Sequence, residues 1–231
     1  VMSRPASAPS TLRSAAEGRP RSPKSVAQPL SALDDAALLA LWLRRWEPDP
    51  EGAAARLVAR FDGLGGAVGA DRPALERAAA LSKAALEDVA LLRELAARLA
   101  REAAARRPVI SAWSALQAYV RTVQANAPRE QFRVLFLDYR NHLMVDEILA
   151  EGSVSHAPVY PREVLRFALE ISASSMILVH NHPSGDPSPS QADIAMTRQV
   201  VEAAKALGLQ VHDHIIVGRN GTASFRALGL M

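Results

Sequence analysis

Residues 174–193 read S-S-M-I-L-V-H-N-H-P-S-G-D-P-S-P-S-Q-A-D, and the fold of the chain turns on how they are read. Met176 to Val179 is a short apolar run with β-branched members, which predicts a buried strand when turn residues bound it. His180 and His182 follow directly. Successive strand side chains point to opposite faces, so these two imidazoles, at i and i+2, share one face and lie close enough to hold one ion. Between Pro183 and Pro189 three prolines and one glycine remove backbone donors and fix φ at several points, so an ordered turn replaces the strand. Ser190 then opens a helical pattern carried by Ile194, Thr197, Val201, Ala204 and Leu207, with Gly208 placed to terminate it. Asp193 falls in the first turn of that helix, where its carboxylate can face back toward the end of the strand. Two neutral imidazoles, one carboxylate and an open fourth position are the donor set of a catalytic zinc site.

Each of these residues also has a plain structural reading. Ser190 and Asp193 fit the S-x-x-D capping pattern, in which hydroxyl and acid satisfy unpaired helix NH groups. A lone H-x-H on a strand is commonly ordinary packing. His212 and His214 form a second such pair and a rival metal site, but no acid follows at a helix start. Packing is therefore expected for His212, and Asp213 or His214 is a candidate to orient a ligand imidazole. His142 and His156 fall in a turn and a loop and carry no argument.

Composition narrows the chemistry. The 231-residue chain is 49% hydrophobic, enough for one sizeable core and a second small one, and no apolar run is long enough to span a membrane. It has no cysteine, which leaves histidine and carboxylate as the metal-binding side chains. The first residues lead into Pro, Ser and Ala without the apolar core of a secretory leader, so a cytoplasmic protein is expected. The net charge is +3, and residues 1–29 account for it with five basic groups against one acid. That basic Pro/Ser/Ala-rich tail cannot bury enough surface to offset its ordering entropy, so disorder is expected there.

From residue 30 to about 105 the pattern predicts a small all-helical region. Asp34 is a plausible N-cap for a helix with Leu38, Leu41, Trp42 and Leu43 on its apolar face. Pro48 and Pro50 break it. Gly52–Phe61 reads as a second helix closed by a flexible G-L-G-G run at 63–66, and Pro73 opens a third with Leu75 and Ala79 inward. Leu86–Glu102 gives a long helix with Val89, Leu92, Leu95, Ala96 and Leu99 as its stripe. Arg106, Arg107 and Pro108 mark a hinge, and 110–231 reads as an α/β (α+β) domain. It comprises a helix over Trp113, Leu116, Val120 and Val123, a doubly buried strand at Phe132–Leu137, and a second strand over Leu143–Leu149. A helix from Pro161 and the histidine strand come next, and after the Ser190 helix the chain ends in a hairpin through the R-N-G turn at 219–221.

H-x-H-P, the proline-rich turn and S-x-x-D together resemble the JAB/MPN metalloprotease signature, and the wording H-N-H-P-S-G-D-P-S-P-S-x-x-D resembles its bacterial RadC-like branch. The resemblance implies a mixed β-sheet flanked by helices over 110–231 and a zinc hydrolase acting on a peptide or amide bond. It implies His180, His182 and Asp193 as metal ligands, Glu130 just before the first strand as general base, and Ser190 as hydrogen-bond donor to the oxyanion. It also implies a helix-hairpin-helix motif ahead of the domain. The matching stretch, A-A-L-S-K-A-A-L at 79–86, lacks the glycines that let backbone NH groups approach a DNA phosphate. Weak DNA contact at most is therefore expected, with the helical region structural or protein-binding. Two further readings remain open: a DNA-associated protein with a repair or recombination role, and a non-catalytic metal-binding interaction module.

Overall fold

The structure is a computed structural model that describes residues 29–152 and 159–231. The tail of residues 1–28 and His156 lie outside the described residues. Leu30–Ala32 form a 3-10 turn belonging to a unit of its own, and Leu33–Met231 make up the second unit.

The helical region is built from capped turns. Helix α1 (Asp35–Leu43) is capped by Asp34, α2 (Pro50–Phe61) by Asp49, α4 (Arg72–Ala79) by Asp71 and α5 (Lys83–Ala105) by Ser82, each accepting a hydrogen bond from the NH three residues on. The first helix ends before Pro48 as expected, and α2 begins at Pro50 rather than Gly52, because a proline at the first helical turn gives up no hydrogen bond. Of the G-L-G-G run, Gly63 is an N-cap at φ +109° and the other three residues open a helix, α3 (Leu64–Gly69), whose Leu64 NH donates to Asp35 Oδ2 at 2.8 Å. A Cβ on Gly66 would stand 1.9 Å from the Phe61 carbonyl oxygen, so close packing overrides the low helix propensity of glycine here.

Leu39, Leu43, Leu57, Leu75, Leu86 and Val89 belong to the core of this region. Two sequence expectations fail around it. Leu41 faces outward on α1, and of the α5 stripe only Val89 is buried while Leu92, Leu95 and Leu99 are exposed. Helix periodicity locates a stripe, but α5 outruns the small helices that cover its first turns. Its last turn joins a different core, where Ala104 packs with Val109, Leu116 and Val120.

The remaining elements are α6 (Trp113–Gln124), β1 (Gln131–Leu137), β2 (Leu143–Glu151), α7 (Pro161–Glu170), β3 (Ser175–Asn181), α8 (Gln191–Ala206), β4 (Gln210–Gly218) and β5 (Gly221–Ser224). They form a five-stranded mixed sheet in the order β2-β1-β3-β4-β5, in which β3 and β4 are parallel and the other pairs antiparallel. α6 covers one face over Leu135, Ile177, Val179 and Ile215, and α7 and α8 cover the other over Phe136, Met176 and Leu178. Covered on both sides, β3 is buried at every residue, which explains why it reads as an unbroken apolar run. Its carboxyl end, the turn after it and the start of α8 meet at one edge of the sheet.

Candidate metal centre

β3 carries His180 to that edge, and His182 follows one residue past the strand, its NH still donating to the Val217 carbonyl at 2.9 Å. The proline-rich turn then folds back onto the β4–β5 hairpin. Gly185, at φ +94°, takes a conformation that side chains resist, and its carbonyl accepts from Asn220 NH at 3.2 Å. A Cβ on Gly218 would lie 2.2 Å from the Gly185 oxygen, so the close approach of strand and turn requires glycine there.

At the start of α8 both readings of S-x-x-D hold. Ser190 Oγ accepts from Asp193 NH at 3.2 Å and Asp193 Oδ2 accepts from Ser190 NH at 2.8 Å, a complete capping box. The same carboxylate faces the histidines: its Oδ1 stands 3.3 Å from His180 Nε2 and its Oδ2 3.6 Å from His182 Nε2. Burial opposes the charge on Asp193, yet the His180 and His182 rings facing it outweigh burial and hold the carboxyl far below the usual carboxylate range. His182 is pushed above the ordinary imidazole value by Asp193, with partial burial opposing and the Asp186 carbonyl and the charges of Asp193 and Glu130 adding to the shift.

Among the described residues His180, His182 and Asp193 are the single group of three such side chains whose ligand atoms lie within 4.8 Å of one another. The donor set fits a metal ion on geometry as well as type. His182 Nδ1 meets the Asp186 carbonyl at 2.9 Å, and a carbonyl only accepts, so Nδ1 carries a proton and in the neutral ring Nε2 presents a lone pair. His180 Nε2 and His182 Nε2 are 3.0 Å apart. Ligand atoms on a tetrahedral zinc with bonds of roughly 2.0 Å stand roughly 3.3 Å from one another, the span over which these three groups are spread.

The rival pair does not converge. His212 Nε2 reaches Asn141 Oδ1 at 2.6 Å in the turn between β1 and β2, while His214 Nε2 reaches His180 Nδ1 at 2.8 Å. A register shift of β4 against β3 beside His212 breaks the i, i+2 relation between the two. Burial lowers the pKa of both rings and keeps the fully buried His214 neutral. Asp213 accepts from Ser224 Oγ and the Arg226 NH and does not face the site.

Glu130 and Ser190 stand at the same edge. Glu130, half-buried just before β1, lines a cavity of about 410 Å³ together with Phe132, Tyr160, His180, Asp193 and Met196. Other glutamates near the sheet are elsewhere: Glu147 and Glu151 are exposed on β2, and Glu163 is paired with Arg162 and Arg166 on α7. One residue carried no signal in the sequence. Asn181, the middle of H-N-H, is buried; its Oδ1 accepts from Gln131 NH at 2.9 Å and its Nδ2 donates to the Arg129 carbonyl at 3.0 Å. It grips the backbone on either side of Glu130. A polar residue inside a buried strand is the hint that could have exposed it, since such a residue needs partners.

The chain is similar to known proteins. The family described as "RadC-like JAB domain" matches residues 110–230. A "UPF0758 protein" of Rhodobacter capsulatus is 49% identical over 202 residues, spanning 87% of this chain and 94% of that protein. A mixed sheet with a His-His-Asp cluster at the end of its buried strand, together with this match along most of the chain, establishes that the protein belongs to the RadC-like JAB domain family.

Proposed function

We propose that the protein is a zinc-dependent hydrolase that cleaves a peptide or amide bond, using His180, His182 and Asp193 as metal ligands, Glu130 as general base and Ser190 as oxyanion donor. The observation that carries this reading is the convergence of two imidazole nitrogens and a carboxylate beside a cavity that also holds a second carboxylate. A zinc ion bound there supplies a Lewis acid and lowers the pKa of a water molecule to near 7.

The other steps belong to the chain. Glu130 is not tied up in an ion pair among the described residues, so its carboxylate is free to accept a proton from water and return it to the leaving amine. Ser190 Oγ spends a lone pair on the Asp193 NH, which leaves its own proton to donate to a developing oxyanion at the positive end of α8. Phe132, Tyr160 and Met196 give the cavity apolar walls suited to a side chain flanking the bond.

Duplex DNA is at most a weak partner in this reading. The turn between α4 and α5 forms without glycine, Ala80 taking the left-handed conformation at φ +49°. Its Ser82 NH is already taken by Glu47 Oε1 at 2.7 Å, which places a carboxylate where a phosphate would need to approach. A cytoplasmic setting suits a site built without cysteine.

Elemental analysis of the purified protein tests the metal, and a panel of unfolded protein and lysine-isopeptide substrates tests the activity. One zinc per chain is expected, lost in His182→Ala. Glu130→Gln should keep the zinc and lose at least about 100-fold in turnover. Full zinc in His182→Ala with loss in His212→Ala would move the site to β4 and overturn the reading.

A further inference from the structure

We propose that Thr197 and His214 are positioning residues that hold the His180 imidazole as its Nδ1–H tautomer, with the Nε2 lone pair turned toward His182 and Asp193. The direction of the chain follows from one fixed end. Thr197 Oγ1 lies 2.6 Å from the Asp193 carbonyl oxygen, which only accepts, so the threonine hydroxyl spends its single proton there. The same Oγ1 is 2.6 Å from His214 Nδ1 and has only lone pairs left to offer, so His214 carries its proton on Nδ1. His214 Nε2 is then an acceptor. It stands 2.8 Å from His180 Nδ1, which must therefore donate, so the neutral His180 ring carries its lone pair on Nε2.

Among the described residues nothing else competes for the Thr197 Oγ1, the two His214 nitrogens or His180 Nδ1. Thr197 and His214 are fully buried and His180 nearly so, which keeps water from substituting for any link. Phe225 and Phe132 flank the His214 ring at centroid distances of 4.6 and 5.9 Å and hold its plane. The three links join β3, β4 and α8, and they begin at the main chain of the residue whose carboxylate faces His180. One ligand's imidazole is thus oriented by the backbone of another, so that sheet and helix present their donors together. A free neutral histidine favours the opposite tautomer, with the proton on Nε2, so the chain has a specific task. Residues of this kind typically govern metal affinity by about 10–100-fold.

The inference rests on the metal-site reading, but its first test does not need the metal. Long-range proton–nitrogen correlation spectra of the 15N-labelled full chain, without metal, read the tautomer of each ring. Nδ1–H is expected for both His180 and His214. Nε2–H with an unprotonated Nδ1 at His180 overturns the proposal, whatever the protein's activity. Zinc affinity, measured by chelator competition, gives the second readout: Thr197→Val should weaken binding about 10–100-fold. Thr197→Ser, which restores the hydroxyl, should stay within about threefold of the parent. Parent-like affinity in Thr197→Val also overturns it. If Thr197→Val does not fold, the spectra of the parent decide. Failure of the parent to bind zinc, with the expected tautomers present, would reject the proposed hydrolase and leave the hydrogen-bond chain standing.

Discussion

At the scale of single residues, several side chains serve two purposes at once. Asp193 caps α8 with Oδ2 while facing the histidines with both oxygens, and Asn181 ends a strand while gripping the segment that carries Glu130. Asn181→Ala removes both grips and leaves the His180–His182–Asp193 cluster untouched. Zinc content should therefore stay at the parent level while kcat falls, because misplacing a catalytic group by about 1 Å can cost about 100-fold. Asn181→Asp keeps the acceptor for Gln131 but sets an anion against the Arg129 carbonyl, and should not rescue. Turnover equal to the parent in the alanine variant would remove Asn181 from the machinery and weaken the case for Glu130 as base.

At the scale of elements, the turn between β3 and α8 is shaped by what it lies on. Its Gly185 carbonyl meets the β4–β5 hairpin where Gly218 has no side chain, and Arg219 donates to the Ser184 carbonyl at 3.2 Å. Gly218→Ala forces a methyl into backbone that cannot swing aside. Overpacking of this kind costs about 1–3 kcal/mol, and here the turn carrying His182 must yield. A lowered denaturation midpoint together with weaker zinc binding is expected. Unchanged values for both would mean that the turn is freer than its packing implies. Helix α5 teaches the complementary lesson: its leucine stripe is periodic, yet coverage lapses after Val89 and returns only at Ala104.

At the scale of the whole molecule, α6 is tied to the sheet by a buried polar cluster. Tyr119 on α6 donates to Asp146 on β2, which also accepts from Arg133 on β1. Burial, then the hydrogen bond to Asp146 and its charge, raise the Tyr119 phenol well above its ordinary value of 10.0. The folded state therefore keeps this proton at pH values where the unfolded chain loses it. Stability from this group is complete below pH 10 and declines as pH rises above that. Denaturant unfolding from pH 8 to 11 should show a steeper alkaline loss for the parent than for Tyr119→Phe, and the variant should start lower at pH 8 by about 1.5–3 kcal/mol, the worth of a hydrogen bond to a charged group. Parallel pH profiles for the two proteins would show that the phenol is not held in its neutral form.

What the sequence determined by itself lies where chemistry and spacing are local. The buried strand, the proline-rich turn, the S-x-x-D helix start and the convergence of His180, His182 and Asp193 all fall within twenty residues, so strand periodicity and capping rules suffice to place them. The tertiary structure alone decided which partners arrive from far along the chain. Asn181 meets the segment before β1 some fifty residues away, and His214 reaches His180 from β4 while His212, two residues earlier, turns to Asn141. Local pattern could not separate the two H-x-H pairs, because a register shift between β3 and β4 is a property of strand pairing. It likewise could not show that a glycine run opens α3 or that Leu92, Leu95 and Leu99 of α5 stay exposed. Both outcomes depend on whether another element is close enough to cover the surface, and no single stretch of sequence encodes that distance.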